Sequence, residues 1–592
     1  MRDTSDAGSA GTDSRSGSGD HAPGTAEPAG VCPLTTDAAL HRAATLAPDV
    51  EAVVGPGGRR TFAELARDVA SVRAALAAAG VRHGDHVGVC LGNGPRWVTL
   101  FLAIGSLGAV TVPVNTRFKA GELAYALHQS RVRLLFVADR VLSSDFTAML
   151  REICPGVDTG LPDDRLPDLE SIVVVGDEVP DAARGWDAFL ADGRLLADGR
   201  AASPDEPTGP ADGARVRTQG STAAPACSPD DVLLIQYTSG TTSYPKGVQL
   251  THRSMCANAF FSGARMGLRP GDRFYSARPF FHVAGTTLSI LSALQHATTL
   301  VTMERFEAGE ALRLMERERC THFSGNDTIA LMLLDHPERP RRRLTLRGAW
   351  LAASPTVVER VCAELGASEC VTGYGLSEAS PNVAQSAWWE PEDVRLGARM
   401  LPQPGVEVRV RDSAADGTGE ILVRGWNVMR GYFDRPADTA AALDADGWLT
   451  TGDLGRIGPD GRLEFAGRAK ELIRVGGENV SPAEVENVLH RHPAIRQAAV
   501  VGVPDPRLLA VPFAFVILKE GRTAEPEELL DWARARMAGF KAPRHLVFVE
   551  DFESLGMTAS SKVQRKELAR YAERLLEPES GPHSAGSRSG GE

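Results

Sequence analysis

Between residues 62 and 138 two apolar rhythms alternate, and that alternation leaves few folds open. FAELARDVASVRAALAAAG (62–80) repeats its apolar residues three and four positions apart, the mark of an amphipathic helix, and Gly80 stops it. HVGVCL (86–91) is a short unbroken apolar run, which reads as a buried strand. PRWVTLFLAIGSLGA (95–109) follows as a helix, VTVPV (110–114) as a strand, GELAYALHQS (121–130) as a helix and RLLFVA (133–138) as a strand. Such alternation predicts strands and helices stacked in α/β layers. The same rhythm resumes at 231 and runs to about 385.

After residue 400 the texture changes. VEVRVRD, GEILVRG and GWLTTGDLGRIGPDGRLEFAG give short strands at close spacing, with turns expected at Asp416-Gly417, Asp446-Gly447 and Asp460-Gly461. From about 468, EVENVLHRH, AAVVGVP, PFAFVIL, PEELLDWARARM and HLVFVE describe a compact α+β unit. The expected fold class is α/β. A large N-terminal domain of layered α/β subdomains plus a β-rich subdomain covers 35–467, and a small α+β C-terminal domain covers 468–575. Residues 1–34, about 196–229 and 576–592 are rich in Gly, Ser, Ala, Asp and Pro and are expected to be disordered or flexible.

Charge and hydropathy remove several function classes. The 592-residue chain has a formal net charge of −12 and no long basic run, so it lacks the electrostatic footprint of a nucleic-acid binder. No apolar run approaches the roughly 18 residues of a membrane span. MRDTSDAGSAGTDSRSGSGDHAPG, at the N-terminus, has no apolar signal region, so a cytoplasmic location is expected. Eight cysteines are scattered without a CxxC spacing, which predicts free thiols.

Of 64 Lys and Arg residues only seven are Lys, and Lys246 closes the stretch YTSGTTSYPKG (237–247) between the apolar runs VLLIQ and VQLTH. Glycines let backbone N–H groups converge as an anion nest, hydroxyls add donors, and lysine adds a compact point charge. That set suits a polyphosphate. It is not a Walker A loop, because Lys246 is preceded by Pro245 and followed by Gly247.

YTSGTTSYPKG resembles the phosphate-binding loop of the adenylate-forming superfamily, with Ser243 where glycine is common. Five further segments follow in that family's order. PFFHVAG (279–285) is similar to its acyl-pocket histidine motif, GYGLSEAS (373–380) to its adenine and magnesium motif, and GWLTTGDLG (447–455) to its ribose motif. GRAKELIRVGGENVSPAEVE (467–486) is similar to its hinge and thiol-tunnel motif, and GMTASSKVQRKEL (556–568) to its C-terminal lysine motif. The resemblance spans about 36–575 and is to the acyl-CoA and aryl-CoA synthetase branch. It implies a carboxylic acid–CoA ligase that uses ATP and Mg²⁺: an acyl-adenylate forms with release of pyrophosphate, and the CoA thiol then takes the acyl group.

The resemblance also implies roles. Thr238, Ser239, Gly240, Thr241, Thr242 and Lys246 would embrace the β- and γ-phosphates, and Glu378 would hold Mg²⁺. Tyr374 would stack on adenine, with Gly373, Gly375 and Ser377 beside it. Asp453 would accept from the ribose hydroxyls and Arg468 would assist at ribose or phosphate. Lys562 would bridge the substrate carboxylate and the α-phosphate, with Lys566 the fallback; Ser561 stands before Lys562 where the family often has glycine. Lys470 would be the hinge of a mobile C-terminal domain, and Gly476 and Gly477 would line a pantetheine tunnel. Lys541 and Arg544 would either meet CoA phosphates or be ordinary surface charge.

For the acyl pocket the resemblance points to Phe281, His282, Ala284, Ala352, Pro381 and Asn382. His282 would gate or orient the carboxylate. Ala352, where glycine is common, would narrow the slot, and small Ala284 would widen it. Asn382 puts an amide where apolar residues are frequent, so the expected substrate carries a polar group. Alternative readings keep the same motifs: transfer to the phosphopantetheine of an acyl carrier protein or to an amine, or a catalytically silent nucleotide-binding protein.

Overall fold

The structure is a computed structural model that describes residues 32–197, 227–238, 245–476, 478–557 and 563–576. The expected tails and insertion fall almost wholly outside these residues. At the N-terminal boundary the packed chain begins earlier than expected: the Pro33 carbonyl accepts from Gln295 Nε2 at 2.8 Å.

Two large sheets form the N-terminal domain. In one of eight strands, Arg184–Gly185, Ser171–Val175, Leu134–Ala138, His86–Cys90, Val110–Pro113 and Val232–Thr238 run parallel. Lys246–Thr251 folds back antiparallel on Val232–Thr238, and Gly431–Tyr432 pairs with its outer edge. In the nine-stranded sheet, Glu369–Gly375, Gly348–Ala352, His322–Asn326, Arg273–Ser276, Thr299–Val301 and Glu51–Gly55 are parallel, flanked by short antiparallel strands. The apolar layer between the sheets holds Trp97, Phe101, Phe274, Phe280 and Trp350. A second core covers the far face of the nine-stranded sheet with the helices Ala308–Arg317, Asp327–Leu334 and Pro355–Leu365.

Local chemistry explains the boundaries. The helix Phe62–Ala78 starts at a capping box in which Thr61 and Glu64 satisfy each other's backbone N–H groups. It ends two residues short of Gly80, whose φ of +81° turns the chain out of the helix. The β-rich subdomain is a four-stranded antiparallel sheet of Val406–Arg411, Gly419–Gly425, Leu449–Ile457 and Leu463–Arg468. Its Asp-Gly turns are as expected: Gly417, Gly447 and Gly461 have φ near +80°, which a side chain would oppose. Sequence reading passed over the helix Thr36–Leu46 and the hairpin Glu51–Gly55/Gly58–Thr61. Among the described residues no helix is long and apolar enough to cross a membrane, and the eight cysteines form no disulfide.

The C-terminal unit is a sheet covered on both faces. Leu509–Leu518 pairs with Ile495–Asp505, His545–Phe548 and Ile473–Val475. One face packs on Pro482–Leu489 and Pro526–Arg534, the other on Arg565–Leu576. A half-buried ion pair ties these layers together. Arg565 grips both oxygens of Glu486, at 2.5 and 3.0 Å, reaches Glu471 at 3.1 Å and donates to the Val500 carbonyl. Polar contacts hold this unit to the N-terminal domain: Thr356 Oγ1 donates to Asn487 at 2.7 Å, and Gln497 Nε2 to Thr328 Oγ1 at 3.3 Å.

Two predictions follow from this packing. Arg565→Met removes the partner of half-buried Glu486 and should destabilise the C-terminal unit by about 2 kcal/mol, read by thermal melting. His252 is fully buried, its Nδ1 accepts from the Thr36 N–H at 3.3 Å, and burial lowers its pKa to about 4. The neutral form is thus required in the fold, while the unfolded imidazole takes its proton near pH ~6.5. Its contribution is fully present above pH ~6.5 and is lost as pH falls toward 4, roughly 3 kcal/mol in all. Urea unfolding at about pH 7.5 and about pH 5 measures this, and equal stability at both would contradict it.

Candidate functional site

Both strands that carry the nucleotide motifs, Val232–Thr238 and Glu369–Gly375, leave their parallel sheets at the carboxyl end, where α/β folds place ligands. Thr238 and Lys246 are direct register partners at the mouth of the first hairpin. Ser239, Gly240, Thr241 and Thr242 lie outside the described residues. Two tyrosines fix the base of the loop. Tyr125 Oη donates to the Pro245 carbonyl at 3.0 Å, and Tyr237 Oη to Gln129 Oε1 at 2.5 Å.

Lys246 is half-buried. Its Nζ pairs with Asp438 Oδ1 at 2.5 Å and stands 4.9 Å from the centre of the Tyr432 ring. The Tyr432 hydroxyl donates to Glu378 Oε1 at 3.0 Å. Burial, then the Glu378 carboxylate, pushes the Tyr432 phenol well above its ordinary range, so it remains a donor. Glu378 sits on the single turn Ser377–Ala379, and its carbonyl accepts from the Met429 N–H at 2.8 Å. Among the described residues no cation pairs with its carboxylate.

A second group gathers around Asp453, which is 4% exposed. The Tyr374 hydroxyl donates to Asp453 Oδ2 at 2.9 Å, and Arg468 Nε lies 3.4 Å from Oδ1. Asp453 and Arg468 face each other across adjacent strands, so the sheet itself aligns the pair. The Tyr374 ring stacks on Phe465, with centroids 5.4 Å apart and planes at 24°. Gly375 admits no other residue here, because a Cβ would stand 1.9 Å from the Pro381 carbonyl oxygen. That approach lets the Leu376 N–H reach the same oxygen at 2.9 Å. A Cβ on Gly373 would stand 2.5 Å from the Trp350 ring.

The acyl motif forms a tight bend. His282 caps the turn Val283–Gly285, its Nδ1 accepting from the Ala284 N–H at 3.2 Å, and the Phe281 carbonyl accepts from Gln236 at 3.1 Å. Phe281, His282 and Ala284 are half-buried, Ala352 is exposed at the end of its strand, and Pro381 is buried. Asn382 is buried as well. Its amide meets Ser262 Oγ at 2.9 Å and the Gln385 side chain at 2.5 Å. The polarity of Asn382 is thus accounted for inside the fold, without a substrate group.

On the C-terminal side, Lys470 lies on the turn Ala469–Glu471, and Gly476 turns the chain with φ +58°. Gly477 and Lys562 lie outside the described residues. Lys541 is paired with Glu484 at 2.7 Å, which fits surface charge. Sequence reading missed Asp438, Tyr432 and Phe465. Tyr432 and Asp438 reach Lys246 from a later chain segment, and Phe465 is an aromatic three residues before Arg468, signals visible only once the partner strands are placed.

The AMP-binding enzyme family matches residues 40–433, and the AMP-binding enzyme C-terminal domain matches 484–562. A 3-[(3aS,4S,7aS)-7a-methyl-1,5-dioxo-octahydro-1H-inden-4-yl]propanoyl:CoA ligase of Rhodococcus jostii is 37% identical, over 90% of this chain and 98% of the relative. A medium-chain acyl-CoA ligase of Danio rerio, mitochondrial by its name, is 30% identical over 92% of this chain and 89% of its own. The crystal structure of the anthranilate CoA ligase AuaEII with anthranoyl-AMP superposes with a TM-score of 0.75 at 26% identity, covering 92% of this chain and 98% of the other. The chain therefore belongs to the AMP-binding enzyme family, in its acyl-CoA synthetase branch, and is an ATP-dependent acid–CoA ligase that acts on a small carboxylic acid.

Proposed function

We propose that the two side-chain groups around Lys246 and Asp453 divide ATP between them, and that this division sets up the in-line attack of a carboxylate on the α-phosphorus. The observation that carries the reading is the Lys246–Tyr432–Glu378 array beside the hairpin loop. Lys246, with the hydroxyls and N–H groups of 238–242, meets the β- and γ-phosphates and gives up Asp438 for them. Glu378 is a half-buried oxygen ligand held by a phenol and left without a cation among the described residues, which fits a hard divalent ion such as Mg²⁺. When bound, the ion supplies positive charge to the phosphates.

Asp453, aligned by Tyr374 and Arg468, accepts from the ribose hydroxyls, since an ionised carboxylate can take several donors. Phe465 covers one face of Tyr374 and leaves the ring fixed for adenine, with Gly373, Gly375 and Ser377 alongside. Lys562 neutralises charge developing between the carboxylate and the α-phosphate. His282 orients the acid, and Phe281, Ala284, Ala352 and Pro381 shape its slot. After pyrophosphate leaves, the C-terminal unit turns at Lys470, and Gly476 and Gly477 pass the pantetheine thiol to the adenylate carbonyl. A carrier protein's phosphopantetheine ends in the same thiol and is the second acceptor we propose. The reaction is placed in the cytoplasm.

Two measurements test these assignments. Glu378→Gln and Lys562→Ala should each lower the rate of pyrophosphate release by about a hundredfold or more without shifting the melting temperature. Unchanged rates would remove these residues from the chemistry. Asp453→Asn should raise the KM for ATP about tenfold with a smaller change in kcat, because it weakens charge-assisted bonds to ribose. Steady-state kinetics over ATP concentration separates the two effects.

A further inference from the structure

Arg278 is 9% exposed and lies just past the strand Arg273–Ser276, in the layer between the two large sheets. Its guanidinium is stacked over the Trp350 ring, 4.3 Å from the centroid. Its one hydrogen bond among the described residues is long, from Nη2 to the Gly325 carbonyl at 3.4 Å, and Nη1 has no partner. No carboxylate pairs with it among the described residues. Burial alone lowers its pKa to about 9, so it keeps its charge at neutral pH.

Two other arginines, half-buried Arg265 and buried Arg395, are treated differently. Arg265 donates to the carbonyls of Gln385, Leu401 and Pro402 at 2.7–2.9 Å. Arg395 donates to the carbonyls of Glu390, Ser368 and Cys370 at 2.8–3.0 Å. A buried cation left without such partners costs free energy that a structural role does not recover.

Arg278 does not stand alone. Trp350 Nε1 and Ser324 Oγ are also buried without a partner, and Ser324 and Trp350 are register neighbours on adjacent strands. Their side chains share a face of the sheet, the face that also carries Ala352 of the proposed acyl pocket. Ala352 lies two residues beyond Trp350 on the same face, and a Cβ on Gly373 would touch the Trp350 ring. From the facing helix, Ser289 bonds Ser276 at 2.8 Å and the Ala284 carbonyl at 3.4 Å, joining this floor to the expected pocket wall. Arg278 Nη1, Trp350 Nε1 and Ser324 Oγ are thus three neighbouring buried donors without a partner among the described residues.

We propose that Arg278, Trp350 and Ser324 form a donor-lined floor of the acyl pocket, which receives an oxygen acceptor on the tail of the acid. The substrate class is a carboxylic acid bearing a second carboxylate or a keto oxygen away from the carboxyl that is activated. A plain alkyl tail would bury methylene groups against an unpaired guanidinium, and a site built to bond an acceptor discriminates against the analogue that lacks it. The inference rests on the proposed acyl pocket and deepens it.

The test uses the full chain with ATP and Mg²⁺ and reads pyrophosphate release. The acids are straight-chain alkanoates from pentanoate to decanoate, their penultimate-keto analogues and their α,ω-dicarboxylates. At the best-fitting length, kcat/KM should favour an acceptor-bearing acid over the matched alkanoate by at least about tenfold, mostly through KM. Arg278→Met should bring that ratio to about one, chiefly by raising KM for the acceptor-bearing acid. Whether the keto acid or the dicarboxylate leads identifies the acceptor. If Arg278→Met melts early, Ser324→Ala replaces it and should lower the ratio severalfold. Pyrophosphate release with no preference at any length, or a preference intact in the variants, overturns the donor floor and leaves the ligase standing. No release with any acid overturns the proposed site and the floor with it.

Discussion

The phenol of Tyr432 stands between a cation and an anion. Its π face takes the Lys246 ammonium and its hydroxyl takes the Glu378 carboxylate. Lys246 belongs to the eight-stranded sheet and Glu378 to the turn after Glu369–Gly375, and Tyr432 belongs to the edge strand that pairs with Lys246–Thr251. Without that side chain nothing described here would hold the lysine of the loop in register with the carboxylate of the YGLSE turn. The placement is electrostatic as well as steric, since a ring face favours a cation and a phenol favours a carboxylate acceptor. Asp438 completes it by giving Lys246 a counter-charge.

The layers were legible because their signals are local. Apolar period, capping residues and Asp-Gly turns each act within a few residues, and the helix at 62, the strand at 86 and the turns at 417, 447 and 461 stand where those signals put them. The hairpin around the loop was legible for the same reason. Partners drawn from far along the chain were not. Lys246 and Asp438 are 192 residues apart, and Tyr374 and Asp453 are 79 apart. Asn382 shows the opposite failure: its type suggested a polar substrate, but Ser262, 120 residues away, takes up the amide. Arg278 carries no local signal at all, because a lone arginine before an apolar run ordinarily reads as surface charge.

The C-terminal unit combines a firm interior with a lighter attachment. Arg565 and Glu486 lock its layers from within, whereas side-chain contacts such as Thr356–Asn487 and Gln497–Thr328 join it to the large domain. Neutral hydrogen bonds of this kind contribute about 1 kcal/mol each, while hydrogen bonds between charged groups, as in the bidentate Arg565–Glu486 pair, contribute roughly 1.5–3. A unit so built can be displaced as a body without loosening its own core, which is what a two-step reaction at one site asks of it.

The pairing of Thr238 with Lys246 has a consequence for how the loop tolerates change. Side chains alternate across a strand, so Lys246 shares a face with Val248, which pairs with Tyr432. Removing or adding one residue between them, if absorbed by the ladder, would invert that parity. The ammonium would then point to the opposite side of the sheet, and Val248 would turn with it. The length of the loop is therefore a digital property: the parity of its residue count sets which side of the sheet Lys246 faces.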